Sequence, residues 1–133
     1  MPLEVHVVTP DREVWSGAAQ MVIARGTAGE VGILAGHAPL LIRLAIGVLR
    51  IQNESGTWRA AVVDGGFLHV TGSGGATRVD VLATHGEMAD EIDRRAAEAR
   101  VEELTARLAR EEDVALQAEL AKALVRAELP AER

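Results

Sequence analysis

Residues 47–56 of the chain read GVLRIQNESG, and this stretch decides the architecture of the N-terminal part. Apolar and polar side chains alternate from Gly47 to Gln52, which is the period of a strand with one buried face. The NESG segment that follows consists of residues that favour turns, and residues 58–63 can supply the returning strand. The stretch therefore predicts a β-hairpin.

Short apolar runs continue on both sides of this hairpin, from Leu3 to about Leu82. Glycine, proline or aspartate marks most of the breaks between the runs, and no helical pattern lies among them. Strands at this spacing predict an antiparallel β-sandwich or barrel. The further strands are predicted at residues 5–9, 19–24, 31–34, 67–71 and 77–82.

The pattern changes after His85. From Asp90 onward the chain contains no glycine, proline is absent until Pro130, and alanine, leucine, glutamate and arginine dominate. These four are strong helix formers, so this part of the chain predicts helices. The predicted fold class is α+β, with an antiparallel β-sandwich at residues 1–85 and an antiparallel two-helix hairpin at residues 86–133.

The second predicted helix, at about residues 114–129, follows a polar break at residues 111–113 and is apolar on two sides. One side can pack on the first helix, whereas the other needs the sandwich or another protein. Because isolated helices of this length are marginally stable in water, we predict that the hairpin depends on its docking surface and can move. The stripe of the first helix is Ala97, Val101, Leu104 and Leu108. The two sides of the second helix are Leu116, Leu120, Ala123, Leu124 and Ala127, and Val114, Ala118, Ala121, Val125 and Leu129.

Composition excludes several classes of function. The 133 residues carry a formal net charge of -6, which argues against nucleic acid as a partner. There is no cysteine, so a disulfide framework or a thiolate site is impossible. The start of the chain lacks the pattern of a signal peptide. The most apolar stretch, residues 38–49, is interrupted by Arg43 and is shorter than a bilayer span. We expect no direct membrane insertion.

No catalytic or metal-binding pattern emerges. The four histidines have no metal-ligand spacing, and no serine or threonine stands in a nucleophile-elbow context. The glycines at residues 72–75 link two predicted strands, and those at residues 26–32 are not followed by a helix, so neither predicts a phosphate loop. His37 lies in a predicted turn, where it either contacts a partner or holds the loop. The residues alone therefore indicate a binding or regulatory module.

Acidic residues concentrate at the predicted start of the first helix. Carboxylates there favourably meet the positive end of the helix dipole, so capping is a sufficient explanation for them. The four residues are Glu87, Asp90, Glu91 and Asp93.

Four segments together resemble the epsilon subunits of rotary F-type ATP synthases. Residues 29–40, GEVGILAGHAPL, resemble the signature loop of that family, although Ala35 stands where proline is common. The first strand and turn, a glycine-glycine-aromatic strand and the second C-terminal helix also resemble family segments, in the same order along the chain. These are residues 7–11 (VVTPD), 64–70 (DGGFLHV) and 118–124 (AELAKAL).

The resemblance implies a non-catalytic rotor subunit of a proton-translocating synthase, peripheral to the cytoplasmic face of a bacterial cell membrane. It implies that the sandwich binds the gamma subunit and the c-ring, and that the hairpin switches between a docked form and an extended form. The extended form reaches the catalytic alpha and beta subunits and inhibits ATP hydrolysis. The expected contact loop contains Glu30, Ile33, Leu34, His37 and Pro39. The expected regulatory residues of the helices are Arg107, Arg110, Lys122 and Arg126, unless they merely form a solvated helix face. We expect Lys122 and Arg126 to be exposed.

Family members open the first helix with a motif that is tied to ATP binding: isoleucine-aspartate, two variable residues and arginine-alanine. Here Ala96 occupies the position of that arginine, and Arg95 lies one position early, about 100° around the helix. We therefore expect no cofactor and weak or absent ATP binding. The residues of this degenerate site are Glu87, Ile92, Asp93, Arg95 and Arg100.

Two alternatives to a motor subunit remain at this point. A small ligand-binding β-sandwich would need a concave apolar pocket, and the few aromatic residues offer no stacking platform. A hydrolase or isomerase would need titratable groups that converge in a pocket, and the sequence indicates none.

Overall fold

A computed structural model describes residues 2–129 of the chain, and within that range seven strands precede two helices. The strands are β1 Leu3–Val8, β2 Glu13–Gly26, β3 Gly29–Leu34, β4 Leu40–Asn53, β5 Trp58–Ser73, β6 Ala76–Ala83 and β7 Gly86–Met88. A single 3-10 turn, Ala89–Glu91, leads to the helices α1 Arg94–Leu108 and α2 Val114–Ala127. The α+β fold predicted from the sequence is confirmed.

The β4–β5 hairpin is the longest paired element of the sheet. Its register runs from Leu40 opposite Val70 to Gln52 opposite Trp58. The turn closes on Asn53, whose side-chain oxygen accepts hydrogen bonds from the backbone N–H of Ser55 at 3.1 Å and of Thr57 at 3.0 Å. An asparagine side chain that satisfies backbone donors in this way explains why the NESG segment turns.

The sheet closes on itself. Its strands follow the order β1, β6, β5, β4, β2, β3, and β1 also pairs with β2. The β1–β6 pairing is parallel, and every other pairing between these strands is antiparallel. Joining β1 to both neighbours leaves it without a free edge, and free edges invite aggregation.

Alternate side chains of the strands form the core inside this sheet. Leu49 and Ile51 are buried while Arg50 between them is exposed, which confirms the period read from residues 47–52. Burying one such aliphatic side chain stabilises the fold by about 1.5–3 kcal/mol. The other completely buried aliphatic residues include Val5, Val7, Val22, Ile33, Leu68, Val70, Val79 and Val81.

Strand β7 extends the sheet past the predicted boundary at residue 85. Gly86, Glu87 and Met88 pair with Val63, Val62 and Ala61 of β5, and Met88 is buried in the core. Local periodicity cannot reveal a strand this short, because three residues carry no repeat.

The prediction that four acidic residues cap the first helix is wrong for three of them. Only Asp93 caps α1, by accepting a hydrogen bond from the backbone N–H of Ala96 at 3.1 Å. Glu87 lies in β7, and Asp90 and Glu91 belong to the 3-10 turn. Their carboxylates serve tertiary contacts instead.

The two helices pack antiparallel through the predicted stripes. Leu104 of α1 and Leu116 and Ala123 of α2 are buried against each other, with Val101, Leu108 and Leu120 around them. Asp113 caps α2 by accepting from the backbone N–H of Ala115 at 2.9 Å and of Leu116 at 3.3 Å. The predicted polar break therefore both reverses the chain and starts the second helix.

The second apolar side of α2 faces the sandwich. Ala121, Val125 and Leu129 line a groove against Ile46 and Val48 of β4. Leu124, predicted on the side that meets α1, lines the same groove. Val114 was expected on this side too, but it is largely exposed because it stands at the first residue of α2.

Replacing Gly66 with alanine should destabilise the sandwich by about 3 kcal/mol or more. Gly66 has a φ of 123°, and an added Cβ would overlap the carbonyl oxygen of Leu82 on β6. The control is Gly72→Ala in the same strand, whose added Cβ would meet the Ala76 carbonyl oxygen at an ordinary 3.6 Å. Urea unfolding should separate the two variants, and equal free energies of unfolding would contradict the close approach.

Candidate functional site

The loop between β3 and β4 is held in a fixed conformation by backbone contacts. The N–H of His37 donates to the carbonyl oxygen of Leu34 at 3.1 Å, and Gly36 adopts a φ of 84°. The N–H of Gly36 donates to Oγ1 of Thr77 on β6 at 2.8 Å. Because Thr77 is buried, this bond ties the loop to the interior of the sheet.

Of the predicted contact residues of this loop, some are exposed and one is buried. Glu30, Leu34 and Pro39 are exposed, and His37 is half-buried with Nδ1 2.7 Å from the carbonyl oxygen of Ala38. Ile33, which was predicted to contact a partner, is completely buried in the core. Alternation along β3 turns Ile33 inward and Leu34 outward, so Ile33 anchors the loop instead.

An apolar strip crosses the outer face of the sheet next to this loop. Leu41 of β4, Phe67 of β5 and Leu82 of β6 expose 65%, 46% and 52% of their surface. Phe67 is directly opposite Leu82, and Leu41 lies on the same face of β4 one pair further along. A depression of about 380 Å³ between Phe67, Leu82, Val8 and Pro10 continues the strip.

The sequence carries a signal for this strip. Phe67 and Leu82 occupy outward positions of alternating strands, where polar residues are expected. Contiguous exposed apolar side chains of this kind mark interaction surfaces.

A cleft of about 530 Å³ lies between the sandwich and the hairpin. It brings together Glu87, Ile92, Asp93 and Arg100 of the predicted degenerate ATP site. Lys122 and Arg126, predicted only as regulatory residues, line the same cleft, and the remaining lining residues include Asp64, His85, Glu91, Ala96, Ala97, Glu119 and Ala123.

Arg95, predicted as part of this site, does not line the cleft. The helical frame of α1 turns Ala96 and Arg100 toward the cleft and leaves Arg95 exposed elsewhere on the helix. The displacement of about 100° expected from the sequence thus separates Arg95 from the site.

Each of the three basic side chains that line the cleft has a carboxylate partner. Arg100 donates from Nη1 to Oε1 of Glu103 at 3.0 Å, and Lys122 donates from Nζ to Oε1 of Glu119 at 3.3 Å. Arg126 contacts two carboxylates of the sandwich. An anion that enters the cleft would have to compete with these carboxylates.

Arg126 is the most buried of the predicted regulatory residues, and the expectation that it is exposed is wrong. Its side chain is 13% exposed, and Asp64 beside it is 5% exposed. Nε donates to Oε1 of Glu87 at 2.6 Å, while Nη1 and Nη2 donate to the two carboxylate oxygens of Asp64 at 2.8 and 3.0 Å. Burial lowers the pKa of Arg126, but the hydrogen bonds to Asp64 and Glu87 outweigh it and raise the pKa above its ordinary value.

The other predicted regulatory residues lie on more accessible surface. Arg107 and Arg110 are exposed near the end of α1, with Nη2 of Arg107 3.8 Å from Oε2 of Glu111. Lys122 is half-buried, so the expectation that it is exposed is wrong for this residue as well. The four residues therefore do not form one exposed basic face in this conformation.

A second ion pair fixes the connection that leads to α1. Arg12 donates from Nη1 and Nη2 to the two carboxylate oxygens of Glu91 at 2.9 and 3.0 Å. The hydrogen bond from Arg12, together with one from the backbone N–H of Met88, holds the pKa of Glu91 below its usual value. The two residues are 79 positions apart, so no local pattern could have indicated the pair.

Two general observations apply to residues 2–129. None of the helices in this range is both long and apolar enough to cross a membrane. The described histidine, aspartate and glutamate side chains form no group of three that could hold a metal ion.

Comparison with known families identifies the class of the sandwich first. Residues 2–89 match the family model described as ATP synthase, Delta/Epsilon chain, beta-sandwich domain. The matched range ends one residue after β7, which agrees with the extent of the sheet in the structure.

Similar sequences then narrow the class from delta or epsilon chains to epsilon chains. An ATP synthase epsilon chain of Synechococcus sp. (strain JA-2-3B'a(2-13)) is 42% identical over 103 residues, which cover 77% of this chain and 72% of the relative. That of Pelotomaculum thermopropionicum is 45% identical over 106 residues, covering 80% and 75%. The chain belongs to the ATP synthase epsilon chain family, as the resemblance in four sequence segments predicted.

Solved structures share the whole architecture. A chain in the cryo-EM structure of the Euglena gracilis mitochondrial ATP synthase (OSCP/F1/c-ring in rotational state 1) superimposes with a TM-score of 0.77 and 27% identity, covering 95% of this chain and 78% of that one. A chain of the Tetrahymena thermophila mitochondrial ATP synthase central stalk and c-ring has a TM-score of 0.54 at 19% identity, which shows the fold alone.

Replacing Thr77 with valine should loosen the contact loop without unfolding the sandwich. The change keeps the shape of the side chain but removes the acceptor of the Gly36 N–H. A lost hydrogen bond of this kind costs about 1–3 kcal/mol, so the Gly36 amide should exchange with solvent about ten-fold faster or more. Hydrogen exchange followed by NMR measures this, and Thr77→Ser is the control that keeps the acceptor. Unchanged exchange in the valine variant would show that Thr77 does not hold the loop.

Proposed function

We propose that the chain is a non-catalytic rotor subunit of a proton-translocating ATP synthase. We also propose that its hairpin, once released from the sandwich, restrains ATP hydrolysis. Its sandwich binds the gamma subunit and the c-ring, which makes it peripheral to the cytoplasmic face of a bacterial membrane. The observation that carries the proposal is an exposed apolar strip beside a rigid loop, on a chain of this family. The structurally similar chain of Euglena gracilis belongs to an ATP synthase assembly of OSCP, F1 and the c-ring, which supports the same partners here.

The gamma subunit is assigned to the apolar strip. Phe67 and Leu82 lie directly opposite each other on the outward face, and Leu41 lies diagonal to Phe67, with Arg43 and His69 beside them. A few central residues contribute most of the binding energy at protein interfaces, and aromatic side chains such as that of Phe67 are enriched at interface centres. The c-ring is assigned to the loop, where Glu30 and His37 offer polar contacts beside the exposed Leu34 and Pro39.

The hairpin is assigned the inhibitory role because its attachment to the sandwich is limited. Only α2 lines the groove on β4, and the groove between them retains about 590 Å³ of open space. Incomplete packing of this kind favours a reversible contact. In the extended form, Arg107, Arg110, Lys122 and Arg126 become available to acidic segments of the alpha and beta subunits.

Shortening the chain to end at Ile92 should abolish inhibition of ATP hydrolysis while leaving the affinity for gamma unchanged. This end point keeps β7 and the Arg12–Glu91 ion pair, so the sandwich retains its contacts. Hydrolysis by the reconstituted catalytic complex, with the full-length and the shortened chain, measures the difference. Equal inhibition by the two chains would show that the hairpin does not inhibit ATP hydrolysis.

Replacing Phe67 and Leu82 together with serine should weaken binding to gamma by about ten-fold or more. Two central apolar contacts are typically worth at least about 1.4 kcal/mol, which corresponds to that factor. Calorimetric titration against the purified gamma subunit measures the affinity. Val114→Ser is the control, because Val114 is also exposed but lies at the start of α2. An affinity that the double variant leaves intact would place gamma on another surface.

ATP should bind the isolated chain weakly or not at all. Ala96 stands in the cleft where the family motif has arginine, and the basic residues of the cleft already contact carboxylates. A guanidinium–phosphate contact is worth about 1.5–3 kcal/mol, so its absence weakens affinity by about ten- to a hundred-fold.

Calorimetric titration with magnesium-ATP tests this expectation in both directions. Ala96→Arg should strengthen binding by about ten-fold or more, whereas Ala99→Arg, on an exposed position of the same helix, should not. Micromolar binding by the native chain would show that the missing guanidinium is not decisive.

A further inference from the structure

One arginine joins the hairpin to the sandwich through three hydrogen bonds and makes a fourth within its own helix. Arg126 contacts Asp64 of β5 twice and Glu87 of β7 once, and Nη1 also donates to the carbonyl oxygen of Lys122 at 3.1 Å. Four of the guanidinium N–H groups therefore have partners, and both carboxylates come from the sandwich. The same guanidinium is one of the groups that the proposed function assigns to the catalytic subunits.

We propose that Asp64 and Glu87 form an acidic clamp that competes with acidic segments of the catalytic subunits for Arg126. The clamp thereby sets how readily the hairpin is released and how strongly the subunit inhibits hydrolysis. This inference rests on the proposed function, because it concerns the regulation of the same hairpin. It makes Asp64 and Glu87, two residues of the sandwich, regulatory residues.

The clamp can decide the docking equilibrium because the guanidinium is buried. A buried ion pair contributes little to stability as a whole, but removing one partner leaves an uncompensated charge. With Asp64 and Glu87 neutralised, Arg126 at 13% exposure would lack countercharge unless α2 moved away. Release hydrates the guanidinium, so the hairpin can leave without the sandwich unfolding.

The apolar contact of α2 does not supply the same specificity. Val125 and Leu129 meet Ile46 and Val48 across a groove that remains open. Dispersion and burial are not directional, whereas a bidentate arginine–carboxylate pair fixes distance and orientation. The groove favours contact in general, and the clamp selects this docked position.

The backbone of Asp64 is held independently of its side chain. Its N–H donates to the carbonyl oxygen of His85 at 2.9 Å, and its carbonyl oxygen accepts from Oγ1 of Thr84 at 2.9 Å. Asp64→Asn and Glu87→Gln therefore remove charge at constant shape and keep these backbone bonds. The variants change the clamp rather than the sheet.

A distance measurement on the isolated full-length chain tests the clamp. Spin labels on cysteines introduced at the exposed positions 54 and 112 report the separation of the sandwich and the hairpin, and the chain has no cysteine of its own. The Asp64→Asn/Glu87→Gln variant should raise the population with the hairpin released by about five-fold or more. Glu4→Gln/Asp80→Asn removes the same charge around Arg78 within the sandwich and should leave the distances unchanged. An unchanged distribution in the clamp variant would overturn the proposal.

Two further measurements separate the clamp from the proposed function. In the catalytic complex, the clamp variant should inhibit hydrolysis more strongly than the native chain, because Arg126 is free and intact. Arg126→Gln should release the hairpin equally but inhibit less than the clamp variant. Release without any change in hydrolysis would contradict the inhibitory role itself, and with it the competition. Should the double variant fold poorly, the single variants Asp64→Asn and Glu87→Gln decide: each should raise the released population, and two unchanged distributions would overturn the clamp.

Discussion

The pairing of β4 with β5 is the interaction on which the rest of the structure depends. Its inward side chains, such as Leu49 and Leu68, are completely or almost completely buried in the core. Its outward side chains, Leu41 and Phe67, begin the apolar strip. The same hairpin presents Asp64 toward α2, opposite Ile46 in the register, so a single pair of strands positions the core, the apolar strip and Asp64.

The hairpin helices depend on that sheet in two different ways. Apolar side chains of α2 rest on β4, and Arg126 contacts carboxylates from β5 and β7. The first contact tolerates sliding, whereas the second holds only in one position. An element attached in this manner can be released without loss of the sandwich core, which is the physical requirement for a regulatory switch.

Much of the fold could be predicted because local periodicity reports local structure. Alternation at residues 47–52 correctly indicated Leu49 and Ile51 as core, and the stripe through Leu104 correctly indicated the face of α1. The helical frame placed Ala96 at the cleft, but Arg95, which was also predicted there, lies elsewhere on α1. In these cases the relevant neighbours lie within one turn or one strand.

The contacts that position the site could not be predicted, because they join residues distant in sequence. Arg126 meets Asp64 across 62 residues and Glu87 across 39, and neither partner stands in a recognisable pattern. The same limit hid the bond from Gly36 to Thr77 across 41 residues. The family resemblance made Arg126 a regulatory candidate, but only the tertiary structure shows what holds it.

Locking the hairpin in its docked position tests the central claim most directly. Cysteines introduced in place of Val48 and Val125, which line the same groove, can be joined by a short, reducible thiol cross-linker. The account predicts that the locked chain binds gamma with native affinity, does not inhibit ATP hydrolysis, and regains inhibition on reduction. A locked chain that inhibits as well as the reduced one would contradict a mechanism in which the hairpin must leave the sandwich.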